Sequence, residues 1–67
     1  MPENLKKFIE SELYTAKHFA ETPSDVYNCR AIAYGAFMFA AHSNLIDDCD
    51  LWDDYWTEFQ KIMDNLE

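Results

Sequence analysis

Leu5, Phe8, Ile9, Leu13, Ala16, Phe19 and Ala20 recur at intervals of one, three and four, while Lys7, Glu10, Tyr14 and Glu21 fall between them. At 100° per residue this spacing gathers the apolar set on one side of a helix and predicts a helix over about 3–20. The stretch "ETPSD" then interrupts the pattern. Thr22 suits an N-cap, Pro23 suits the first helical position, and Asp25 stands where a capping acid reaches back. A second helix is therefore predicted from 23 to about 42, where "HSN" closes it. The third, about 50–66, carries a stripe of Leu51, Tyr55, Phe59, Ile62 and Leu66, with Trp52, Trp56 and Met63 along one margin. Asp53 and Asp54 fall in its first turn, where the helix dipole favours negative charge. The alternation of period two that marks strands does not occur.

The middle segment departs from a single stripe. "IAYGAFMFAAH", residues 32–42, has no charge before its histidine, and apolar residues cover most of the helix circumference. A helix that touches two neighbours needs such wide coverage, and the short connection at 21–22 turns it back on the first. The fold class expected is all-α, a small antiparallel three-helix bundle forming one domain over 1–67. Even so, the apolar arc exceeds what two neighbours cover. Ile32, Gly35, Ala36 and Phe39 lie on one flank, which predicts a seam where a second copy could pair through the central helix.

Length sharpens that expectation. A chain of 67 residues builds a single core worth only roughly 3–5 kcal/mol unless a disulfide, a metal, tight helical packing or a second subunit adds to it. Hydrophobic residues make up 49% and aromatic residues 16%, which is enough to collapse such a core. Two cysteines, Cys29 and Cys49, are too few for a secreted disulfide scaffold, and they form no C-x-x-C pair. The first residues mix acids among apolar positions, unlike a signal peptide. The longest uncharged run, 31–41, is shorter than the roughly 18–20 residues that span a bilayer. A cytoplasmic location is expected.

Charge divides the chain. The net charge is −8; residues 44–67 hold eight acids against Lys61 alone, whereas residues 1–43 hold five acids against four bases. That sign disfavours direct nucleic acid binding and an anionic membrane surface, and it steers a basic protein partner toward the last third.

Few residues could carry chemistry. Glu12 and Arg30 are charges inside the apolar arcs of the first two helices, at levels that an antiparallel hairpin brings together. They are read as an internal ion pair that fixes register, not as a catalytic set, because no nucleophile or histidine accompanies them. His18 and His42 fall at opposite ends of the hairpin, on the order of 25–30 Å apart, so they share no metal. Counting from Asp47, Glu58 is the twelfth residue of a would-be calcium loop. Cys49, Leu51 and Trp52 occupy the places that need oxygen ligands and glycine. No metal, cofactor or catalytic activity is expected.

The remaining candidate is a surface. Trp52 and Trp56, edged by Asp47, Asp48, Asp50, Asp53, Asp54 and Glu58, could form an aromatic anchor flanked by carboxylates. The function expected is that of a non-enzymatic protein that binds a basic protein partner. Its tiny, acidic, helical style is shared with small adaptor or regulatory proteins and with phage or mobile-element accessory proteins, an analogy that assigns no residue a role. The alternative is a nucleic-acid mimic, in which Asp47, Asp48, Asp50, Asp53, Asp54, Glu58 and Asp64 stand in for phosphates in the groove of a DNA-binding defence protein.

Overall fold

The computed structural model describes residues 1–66. Three helices, α1 (Glu3–Phe19), α2 (Pro23–His42) and α3 (Leu51–Asn65), pack against one another, and the described residues contain no strand. Their Cα atoms fill a rod of 36 × 18 × 14 Å.

Each helix boundary has a local cause. At the start of α2, Asp25 N–H donates to Thr22 Oγ1 at 3.3 Å, while Asp25 Oδ2 accepts from Thr22 N–H at 3.2 Å and Glu21 N–H at 3.0 Å. This is a reciprocal capping box with proline at the first helical position. The two backbone donors lead in holding the Asp25 carboxyl below its usual range. At the other end of α2, Asn44 takes a left-handed backbone, φ 61°. Leu45 N–H donates to Ala40 O at 2.9 Å and Asn44 N–H to Ala41 O at 3.2 Å, which is a Schellman closure. The chain then swings Ile46 into the core. Before α3, Asp48 Oδ1 accepts from Asp50 N–H at 2.9 Å, an Asx turn that leads into the helix.

Ile9 and Ala16 from α1, Val26, Ala33, Phe37 and Ala40 from α2, Ile46 from the loop, and Trp52 and Phe59 from α3 form the core. The Trp52 ring lies 5.6 Å from Phe37 and 6.3 Å from Phe59, centroid to centroid, so aromatic contacts knit α2 to α3. The buried positions of α2 all fall within about 60° of arc on the helix wheel. Its wide apolar coverage is therefore only partly used within the chain: Ile32 is 54% and Phe39 74% exposed. Gly35 likewise faces outward, and nothing lies within 4 Å of where its Cβ would stand. It serves no close helix approach inside the bundle.

The single-stripe reading of α1 needs correction. Ile9 and Ala16 are buried and Leu5, Leu13 and Ala20 partly so, but Phe8 is 41% and Phe19 69% exposed. The stripe is broader than the arc that α2 and α3 cover, so its edge residues emerge. No helix among the described residues is long and apolar enough to cross a membrane.

Candidate functional site

Arg30 organises the surface between α2 and α3. Its position one turn after Val26 points the side chain at α3, where Nη1 donates to Gln60 Oε1 at 3.3 Å. The guanidinium lies 5.3 Å from the centre of the Tyr27 ring and 5.4 Å from that of Trp56, within cation–π range of both. Arg30 is thus half-buried among rings and an amide, and among the described residues no carboxylate lies within ion-pair distance of it.

The expected Glu12–Arg30 pair does not form. Among the described residues the ion pair present joins Lys61 to Glu58 at 3.9 Å on the surface of α3. The two apolar arcs face different neighbours: Arg30 leans toward α3, whereas Glu12 lies beside Cys29 on the α1–α2 side. There, burial comes first and the Glu12 charge second in raising the Cys29 thiol above its usual range. A level match along two helices does not fix the direction in which side chains point.

Around Arg30 runs a shallow groove of about 410 Å³, lined by Tyr27, Arg30, Ala31, Tyr34, Trp52 and Trp56. Trp52 forms its floor; it is buried, and its ring meets that of Tyr34 edge-on at 5.2 Å. Trp56 forms a wall and is 45% exposed. The two tryptophans of one sequence stripe therefore divide between core and surface. Tyr27 and Tyr34, on the α2 side, were not singled out in the sequence. Their i, i+7 spacing around Arg30 was the signal that could have found them.

The carboxylates ring this groove unevenly. Asp47, Asp48, Asp50, Asp53, Asp54, Glu58 and Asp64 are all exposed. Asp53 precedes Trp56 by one turn, and Asp64 Oδ1 accepts from Gln60 Nε2 at 2.9 Å, so both stand at the α3 rim. Asp54 falls on the far arc of α3, away from the groove. Asp47, Asp48 and Asp50 remain in the loop before α3. The seam candidates Ile32, Gly35 and Phe39 are exposed on α2, with Ala36 half-buried beside them.

His18 stacks on Tyr14 with ring centroids 4.2 Å apart. No cluster of three histidine, cysteine or acidic side chains among the described residues has metal-holding geometry. No family model matches the chain, and neither a curated protein nor a solved structure matches it significantly.

Proposed function

We propose that this chain is a non-enzymatic interaction protein whose α2–α3 groove binds a basic protein partner. The observation that carries the reading is Trp56, a large aromatic left open beside Tyr27, Tyr34 and Arg30 with Asp53 and Asp64 at its rim. Tryptophan, tyrosine and arginine are the residues that most often anchor protein interfaces. Arg30 already has ring and amide partners, so the groove pairs an apolar floor with acidic edges, which suits an apolar side chain flanked by lysine or arginine.

The bundle is read as up-down-up. Arg30 meets Gln60 whereas Phe37 meets Trp52, so rising positions in α2 meet falling positions in α3. A second copy against the flank of Ile32, Gly35, Ala36 and Phe39 belongs to the same reading, as does a reducing, cytoplasmic setting for two free thiols.

Nucleic-acid mimicry is the second reading, supported by seven exposed carboxylates among the described residues at 47–64, of which Glu58 alone has a cation within ion-pair distance. One experiment separates the two. Partners captured by the wild type are challenged with salt, with duplex DNA, and with the variants Trp56→Ala and Asp53→Asn/Asp64→Asn. Groove binding predicts loss with Trp56→Ala and no competition by DNA. A partner indifferent to Trp56 and displaced by DNA sinks the groove and leaves mimicry.

A further inference from the structure

We infer that two copies of this chain pair through a face built from both α1 and α2, with the acidic α3 helices turned outward. The inference rests on the reading of α2 as a seam and extends it to a helix whose exposed residues were expected in the core.

Four large apolar side chains define the face. Phe8 and Phe19 stand on α1, 41% and 69% exposed, and Ile32 and Phe39 on α2, 54% and 74% exposed. On α1 the positions 8, 12, 15 and 19 repeat at intervals of four, three and four, so Phe8 and Phe19 share one stripe with Glu12 and Thr15. That stripe borders α2: Glu12 lies beside Cys29, and Thr15 and Phe19 line one hollow with Glu21, Asp25, Asn28 and Cys29. Asn28, Ile32, Gly35 and Phe39 continue the surface on α2.

Charge says which molecule covers it. Glu3, Lys6, Lys7, Glu10 and Lys17 all fall about a quarter turn or more from the Phe8–Phe19 stripe. Arg30 points to α3, Asp25 is held by its capping box, and Glu12 is half-buried. What remains between Asp25 and His42 on the outer side of α2 is uncharged. A basic partner would find acids at the Phe19 end, where Glu21 and Asp25 line the hollow, but nothing to pair with along Ile32, Gly35 and Phe39. A second copy, itself −8, is repelled least where its acids are fewest, and the uncharged Ile32–Phe39 side of this face, rather than α3 and the loop before it, is that place.

Size and shape agree. A whole aromatic side chain offers roughly 150–250 Å², so the open fractions of Phe8, Phe19 and Phe39 leave on the order of 350 Å². That is a little under half of the ~800 Å² each partner buries in a stable interface, before Ile32 and the smaller residues are included. Gly35 leaves a shallow place one turn before the protruding Phe39, so one surface supplies both knob and hollow, as a two-fold interface requires.

Sedimentation equilibrium from micromolar to millimolar concentration tests this, with far-UV circular dichroism to show that each variant keeps its helices. The wild type is expected at twice 7.9 kDa at the upper concentrations. Phe39→Glu on α2 and Phe19→Glu on α1 should each raise the dimer dissociation constant by about 30-fold or more, whereas Trp56→Ala should leave it unchanged. A dimer weakened by Phe39→Glu but indifferent to Phe19→Glu and Phe8→Ser overturns the α1 contribution and keeps the α2 seam. A wild type monomeric throughout overturns both. Dissociation by Trp56→Ala alone places the dimer at the groove and refutes the face.

Discussion

Arg30 donates to Gln60 across the α2–α3 interface at 3.3 Å, in place of the carboxylate a half-buried guanidinium would ordinarily find. A neutral acceptor and two flanking rings hold the cation, so the contact gives direction without neutralising charge. A double-mutant cycle should therefore detect coupling between Arg30→Ala and Gln60→Ala of about 0.5–1.5 kcal/mol. The cycle with Glu12→Gln should give no coupling beyond about 0.5 kcal/mol. Chemical denaturation of the wild type, the three single variants and the two double variants measures both, and the reverse ranking would mean that Arg30 belongs to Glu12.

Phe37 and Phe59 are the largest fully buried side chains, one from α2 and one from α3. Truncating either to alanine is expected to cost about 3–5 kcal/mol, comparable to everything a core of this size contributes. Phe59→Ala should thus be largely unfolded at 25 °C by circular dichroism. A cooperative melt close to that of the wild type would show that the core is held elsewhere.

The capping box makes the start of α2 sensitive to acid. Asp25 has its carboxyl pKa lowered below 3.8, mainly by the Glu21 and Thr22 N–H donors. Its contribution is accordingly complete above pH 3.8 and disappears as pH falls through the lower folded-state value. Protection factors at the amides of 21, 22, 24 and 25, with the intrinsic exchange rate at each pH divided out, should fall in that window for the wild type and stay flat in Asp25→Asn. Thr22→Ala, which removes the other half of the box, should cost about 1 kcal/mol, or about 4–8 °C in Tm, at neutral pH.

The two thiols should differ in reactivity. Cys49 is exposed in the loop, while Cys29 is half-buried and its thiol is raised by burial and then by Glu12. Alkylation near pH 8 followed by peptide mass analysis should label Cys49 first, and Glu12→Gln should speed labelling of Cys29. Equal rates in the wild type would contradict the placement of Cys29.

The three helices were legible because their signals are local. The spacing of Leu5, Ile9 and Ala16 and the Thr22–Pro23–Asp25 break act within a few residues, and the structure realises both through backbone geometry. What periodicity could not supply is width. Phe8, Phe19 and Trp56 lie on the same stripes as buried residues, and only the distance to the next helix decides which of them emerges. Direction was lost for a similar reason. Glu12 and Arg30 both lie in apolar arcs, yet one borders α1 and α2 and the other α2 and α3. The groove at Trp56 was half visible, since its tryptophans stood out beside the acids while Tyr27 and Tyr34 looked like ordinary helix surface.

A rod whose Cα atoms span only 14 Å in its thinnest direction has a core one side chain deep. Phe37 and Phe59 both pack on the Trp52 ring, which is itself 8% exposed. A void left there would have a short path to solvent, so it would flood instead of staying dry. Losses on milder truncations that leave the fold standing, such as Phe37→Leu, should then track the apolar area surrendered to water, with little added for empty space, and xenon should find no lodging in the hole.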